Sequence, residues 1–182
     1  MLLYKNTILP LLILPLFVAC SSPKHKIADC MYTAKITEQK PSDFTLQGAC
    51  GEFLDEDTLV LYPKHFKALY FGESNLTSVY TRHGIFYVSK TGKVKRTFFF
   101  DNGADYFKEG LVRTISKGKY GFMNDKLEIV IKPQFDFVYP FSDGKARFCN
   151  GCKKKSDGEE HSTMVGGKWG YVYRDGKITF EK

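Results

Sequence analysis

Lys168-Trp169-Gly170-Tyr171-Val172-Tyr173-Arg174-Asp175-Gly176-Lys177-Ile178-Thr179-Phe180 spells out a strand, a turn and a returning strand. Side chains alternate across a strand, so Trp169, Tyr171 and Tyr173 share one face. Asp175-Gly176 supplies the positive φ that a tight turn needs. Gly170 carries no side chain, which lets a neighbouring backbone or ring come close. One hairpin is marginal in water, whereas stacked hairpins share a core.

The same pattern recurs upstream. Ile85-Phe86-Tyr87-Val88-Ser89-Lys90-Thr91-Gly92-Lys93-Val94 and Tyr120-Gly121-Phe122-Met123-Asn124-Asp125-Lys126-Leu127-Glu128-Ile129 each show an apolar start, an aromatic two or fewer residues on, a polar turn and an aliphatic return. Ile85 lies 35 residues before Tyr120, and Tyr120 lies 49 before Trp169. A second block repeats between them: Phe107-Lys108-Glu109-Gly110-Leu111-Val112-Arg113 answers to Phe141-Ser142-Asp143-Gly144-Lys145-Ala146-Arg147. Arg113 leads Tyr120 by 7 residues and Arg147 leads Trp169 by 22, so the third copy holds an insertion of 15. A fixed period of this kind marks a repeat architecture.

These residues resemble the WG-repeat family, named for its Trp-Gly pair. Trp169-Gly170-Tyr171 with Asp175-Gly176 is the closest match, Tyr120-Gly121-Phe122 a variant and Ile85-Phe86-Tyr87 a decayed copy; Pro133-Gln134-Phe135-Asp136 fits the stretch between units. The resemblance implies a mainly all-β fold of repeated antiparallel hairpin or meander units. The copies run over about 78–113, 114–147 and 148–182 of a single domain at 30–182. Ile85, Tyr87, Tyr120, Phe122, Trp169, Gly170 and Tyr171 are expected to form the shared repeat core. The family brings no catalytic residues and no cofactor with it.

The N-terminus reads as an address. Ile8–Ala19 is an uncharged run broken by Pro10 and Pro15, too short for the roughly 20 residues of a spanning helix. With the weakly basic start at Lys5 it has the pattern of a secretory signal at 1–19. Phe17-Val18-Ala19-Cys20 resembles the lipobox of bacterial lipoproteins. That resemblance implies cleavage before Cys20, a diacylglyceryl thioether and acyl chains such as palmitate on Cys20. With Ser21 following, it implies sorting to the outer membrane, facing the periplasm. Residues 20–29 then form the lipidated Cys and a polar tether.

Removing 1–19 takes away only Lys5, which leaves 26 − 20 = +6 of net charge. A basic surface suits anionic lipid or an acidic partner, and export argues against nucleic acid. At 43% hydrophobic and 26% charged residues the chain can build a core, so disorder is excluded. The 15% aromatic content favours strands. The length is below that of a typical barrel enzyme.

Elsewhere, Met31–Ile36 and Thr58–Leu61 read as strands. Pro63 opens a short helix near 63–70 with Phe66, Leu69 and Tyr70 on one side. Phe98-Phe99-Phe100 is expected as a buried strand, the alternative being an exposed sugar-stacking platform. The four remaining cysteines of an exported chain predict disulfides in one of three pairings, and Cys30–Cys50 with Cys149–Cys152 is favoured. Asn150-Gly151 is a tight-turn signal that brings the flanking Cα atoms within about 7 Å. The alternative is a zinc site of Cys149, Cys152 and His161, with Glu159 or Glu160 as fourth ligand.

Lys153, Lys154 and Lys155, with Glu159, Glu160 and His161, read as a solvated loop and as the leading candidate for partner contact. No nucleophile elbow, phosphate-cradling loop or His-Glu-x-x-His is present. His65 and His83 read as structural, and Asp55-Glu56-Asp57 as a surface turn. The expected protein is not an enzyme. It is a lipid-anchored envelope protein, attached to the membrane and binding a protein partner, or alternatively a periplasmic immunity protein or inhibitor of a toxin or hydrolase.

Overall fold

The computed structural model describes residues 26–156, 158 and 162–181. The signal at 1–19, Cys20, the start of the tether, and Glu159, Glu160 and His161 lie outside the described residues. The chain begins with β1 (Lys26–Lys35), β2 (Pro41–Phe53) and β3 (Leu59–Leu61). It passes through the helix α1 (Pro63–Ala68) into β4 (Leu76–Thr81), β5 (Gly84–Ser89) and β6 (Val94–Thr97). A small hairpin, β7 (Phe99–Phe100) and β8 (Gly103–Ala104), precedes β9 (Leu111–Ser116), β10 (Lys119–Asn124) and β11 (Ile129–Phe135). Then come β12 (Phe137–Val138), β13 (Lys145–Asn150), β14 (Lys153–Ser156), β15 (Ser162–Val165), β16 (Lys168–Tyr173) and β17 (Ile178–Phe180). The fold is all-β, with its strands paired antiparallel. One sheet runs β11-β10-β9-β6-β5-β4-β1-β2-β3 and a second runs β12-β13-β16-β17.

The repeats are three meanders with one register, β4-β5-β6, β9-β10-β11 and β13-β16-β17; Leu111–Arg113 and Lys145–Arg147, expected at the ends of the first two copies, instead open the second and third meanders. Tyr87, Phe122 and Tyr171 each sit on the central strand, facing Ser78, Arg113 and Arg147 on the strand before. Val88, Met123 and Val172 each pair with the residue six positions later: Val94, Ile129 and Ile178. The turn between is the same in all three. Ser89, Asn124 and Tyr173 donate N–H to the carbonyls of Lys93, Glu128 and Lys177, and accept from Gly92, Leu127 and Gly176. This is a five-residue turn whose fourth residue has positive φ: 86°, 56° and 86°. Leu127 takes the glycine position in the second copy. Its side chain is buried in the junction with the first copy, which offsets the cost of about 1 kcal/mol for a left-handed residue. The intervening block repeats as well. Lys108/Leu111 and Ser142/Lys145 each exchange two backbone bonds around a two-residue turn. Glu109-Gly110 and Asp143-Gly144 there both have positive φ, as a type I′ hairpin demands.

A fourth meander precedes these. β1, β2 and β3 are paired likewise, and β2 and β3 are joined by a turn of the same length, in which Leu54 N–H donates to the Thr58 carbonyl at 3.0 Å. The same six-residue step joins Phe53 to Leu59. Gly51 also occupies the close-approach position of Gly121 and Gly170. A methyl group on any of the three would collide with the carbonyl oxygen of Val60, Ile131 or Thr179, respectively. Cys50 lies 35 residues before Ile85, the same step that separates Ile85 from Tyr120.

Each central strand has a front face (Ile85 and Tyr87; Tyr120 and Phe122; Trp169 and Tyr171) and a back face (Phe86 and Val88; Gly121 and Met123; Gly170 and Val172). Successive repeats pack front to back. Tyr87 lies on Val112, Met123 and Leu127, with Phe107 beside it at 5.5 Å. Phe122 lies with Ala146 and Val172 in one cluster, with Phe141 edge-on at 4.7 Å. The N-terminal meander joins differently. Its first strand pairs with the first strand of the next unit through Cys30↔Thr81 and Met31↔Tyr80. Phe53 and Leu59 therefore meet Phe86 and Val88 back to back, in a cluster that includes Cys30 and Cys50.

Three expectations change here. Trp169 and Tyr171 are half-buried and point away from the shared core, which takes Gly170 and Val172 instead. Alternation groups residues by face but does not say which face turns inward. Phe99 and Phe100 are exposed rather than buried, because β7 and β8 form a two-residue hairpin on the surface. Lys153, Lys154 and Lys155 are a strand, paired with Val165, Met164 and Thr163. Residues 41–53, which carry no clear strand pattern, form the long strand β2. The helix is as expected in place, and Leu69 just beyond it is buried. His65 accepts from or donates to the Tyr32 hydroxyl at 2.8 Å, and His83 packs edge-on against Phe53.

Candidate interaction surface

Among the described residues no repeat packs on the front face of the third repeat. On this face Tyr171 stands beside Arg147 and Thr179, Trp169 beside Cys149, and Tyr173 beside Lys145. Tyr139 is drawn alongside by its N–H bond to the Arg147 carbonyl. The polar groups lie over the rings. The Arg147 guanidinium carbon is 4.2 Å from the Trp169 ring centre, and Lys145 Nζ is 4.5 Å from that of Tyr171. Tyr139 stacks on Trp169 at 6.3 Å, and the indole N–H donates to the Gly166 carbonyl at 2.9 Å. Arg147 also makes a two-bond fork to Glu181, at 2.8 and 2.9 Å. That fork holds the Glu181 carboxyl below its ordinary range and raises Arg147 further above its own.

The equivalent arginine one repeat earlier is a control supplied by the fold. Arg113 forks to Asp105 at 2.8 and 2.7 Å and donates to the Val138 carbonyl at 3.3 Å. Phe98 and Phe100 cover it at 4.3 and 5.2 Å. Arg113 and Asp105 are each 2% exposed, whereas Arg147 is 41% and Glu181 31% exposed. The same position is thus sealed in the second repeat, by the upstream segment 98–105 and by the Val138 carbonyl of the next unit, and open in the third. The sequence marks the difference. Leu76 and Leu111, packed into the first two junctions, correspond to Lys145 in the last. A polar outer face is what an end unit needs.

The insertion grows from the edge of this surface. Asn150 pairs with Lys168 and, three residues further out, Lys153 pairs with Val165, so β14 and β15 prolong β13 and β16 into a ribbon. Disulfides join Cys149 to Cys152 and Cys30 to Cys50, with Cα separations of 6.0 and 5.7 Å. The favoured pairing therefore holds. The zinc alternative is overturned for its two cysteines, which are bonded to each other, while His161 lies outside the described residues. At the ribbon's root Asp136 accepts the Gly151 N–H at 2.6 Å and a bond from Lys119. These donors, Gly151 first, hold its carboxyl below the usual range. Lys153–Lys155 are exposed on the ribbon.

Among the described residues no group of three His, Cys, Asp or Glu side chains converges. An open cleft of about 850 Å³ lies between the turns of the first and second repeats. Lys93 spans it to Glu128 at 3.8 Å. At its floor Tyr87 donates to the Asp105 carbonyl at 2.7 Å, and burial pushes its hydroxyl up to about 12.

Arrays of antiparallel meanders in front-to-back contact define a β-repeat protein. Residues 120–153 match the family model described as a WG containing repeat, from β10 to the start of β14. No curated protein and no solved structure matches the chain.

Proposed function

We propose that the protein is a non-catalytic module of the bacterial envelope, lipid-anchored at Cys20 in the outer membrane and facing the periplasm. It binds a protein partner through the front face of its last repeat. One observation carries this reading: Arg147 with Trp169 and Tyr171 occupies the position that the preceding repeat buries against its neighbour. A flat row of Tyr139, Trp169 and Tyr171 with cations above it offers aromatic area and hydrogen bonding together, the mixture enriched at protein interfaces. The ribbon with Lys153, Lys154 and Lys155 extends that surface sideways.

In-cell photocrosslinking tests it. A photoreactive residue at Tyr171 should yield a discrete adduct, and one at Lys64 on α1 should yield none. Adducts from Lys64 alone would overturn the assignment. Radiolabelled palmitate should be incorporated by the intact chain and lost in Cys20→Ser.

A further inference from the structure

The N-terminal meander leaves its own front face open, and that face is apolar. Its back is used against the first repeat. The front carries Ile27 and Val60 on either side of Glu52, and Met31 next to Leu46. Leu46 is 66% and Ile27 57% exposed. Phe44 adds a ring at 4.8 Å from Tyr80, the strand neighbour of Met31, and the exposed Phe99 stands on the hairpin that Tyr80 holds through the Ala104 N–H. Grouped apolar exposure of this kind marks a contact surface.

We infer that this face lies against the phospholipid bilayer and sets the orientation of the domain on the membrane. The inference rests on the lipid-anchor reading. What selects a bilayer is where the chain arrives. Six residue steps separate Cys20 from Lys26, which begins β1. Fully extended they span about 20 Å, so an anchored Cys20 keeps Ile27 within reach of the headgroups. Lys24 and Lys26 flank the entry point in sequence and suit an anionic interface. Aliphatic side chains with Phe and Tyr at the margin are the composition of a shallow membrane contact. Asp29 shares the face, and Glu52 accepts a bond from the Tyr62 hydroxyl at 3.0 Å. These carboxylates keep the contact at headgroup depth.

The test uses the full chain, isolated from a Gram-negative host and reconstituted in phosphatidylethanolamine–phosphatidylglycerol vesicles with brominated acyl chains. Trp169 is the only tryptophan, so Leu46→Trp in a Trp169→Phe background reports on this face alone. Flotation and the mass of the Cys20 peptide establish anchoring separately. The expected result is a blue-shifted Leu46→Trp emission quenched at least twofold by bromolipid, with the native Trp169 unquenched. Leu46→Trp unquenched in chains that float overturns the inference, as does a dimer crosslinked through this face. If the Cys20 peptide carries no lipid, the anchor reading fails by itself. Quenching of the unlipidated chain would still support the bilayer contact, and its absence would overturn it. A second variant, Met31→Trp in the same background, must behave as Leu46→Trp does.

Discussion

Arg113→Met and Arg147→Met should differ in effect although the two arginines hold the same place in successive repeats. Arg113 satisfies both carboxylate oxygens of Asp105, and Asp105 also accepts the Arg113 N–H. With both side chains 2% exposed, removing the guanidinium leaves a carboxylate with no counter-charge out of water. Breaking a buried pair in this way costs about 3–5 kcal/mol. For a chain of this size each kcal/mol moves the melting midpoint by about 2–4 °C, so Arg113→Met should lower it by about 6–20 °C. Arg147 and Glu181 remain wet, and Arg147→Met should change the midpoint by about 2 °C or less. Adding Asp105→Asn to Arg113→Met removes the stranded charge and should recover part of the loss, whereas each change alone destabilises. Thermal unfolding followed by far-ultraviolet circular dichroism reads all four proteins. Equal losses for the two arginines, or a larger loss for Arg147, would refute the view that one arginine is sealed from water and the other is not.

Gly170→Ala should cost more than Gly176→Ala. The first methyl meets the Thr179 carbonyl and lies 2.8 Å from the Phe148 ring, while the second has open space and only its φ of 86° to contend with. Expected losses are about 2 kcal/mol or more against about 1 kcal/mol, read from urea midpoints. Tyr87→Phe should flatten the alkaline limb of the stability profile. The hydroxyl titrates near 10 when unfolded and at about 12 when folded, so its contribution is complete below about pH 10 and is lost as pH rises through 12. Equal slopes for the wild type and Tyr87→Phe over that interval would exclude Tyr87 as the source. Removing the Cys30–Cys50 bridge, which spans 20 residues, should cost about 3 kcal/mol by loop entropy, or about 6–12 °C. Loss of Cys149–Cys152, spanning 3 residues, should move the midpoint far less.

The repeats were legible where residues are chemically distinctive. Trp169-Gly170, Tyr120-Gly121 and the two Arg-ended blocks announce themselves, and the tight Cys149-Asn150-Gly151-Cys152 spacing pointed to its bridge. The fourth meander was hidden for physical reasons. Its central strand has Cys50 where the others have Trp, Tyr or Ile, and its turn, Leu54–Thr58, has no glycine. Only backbone bonds and register reveal it. The orientation of Trp169 escaped because a large aromatic residue suggests burial, whereas Gly170 and Val172 are the right size beneath Phe148 and Ala146. The aromatic–cation surface could not be read at all. Lys145 and Arg147 precede Trp169 by more than twenty residues, and only the antiparallel register places them over its strand.

The geometry of the junctions decides how many open faces the array has. Units stacked front to back end with one front and one back exposed. Here the first junction is back to back, through β1 and β4, and those after it are front to back. Within the described residues both end units therefore present front faces. The two are not alike. The entry end shows Ile27, Met31 and Leu46, and the far end shows Lys145, Arg147 and Trp169. Identical ends would favour self-association into chains, since each face could seat on another copy. Unlike ends direct the two faces to different environments. The described chain begins at the apolar end and the inserted ribbon grows from the cationic one, so the two faces proposed above as contact surfaces lie at opposite ends of the array. Lys145→Leu would weaken that distinction, and sedimentation of the purified variant should show more self-association than the wild type.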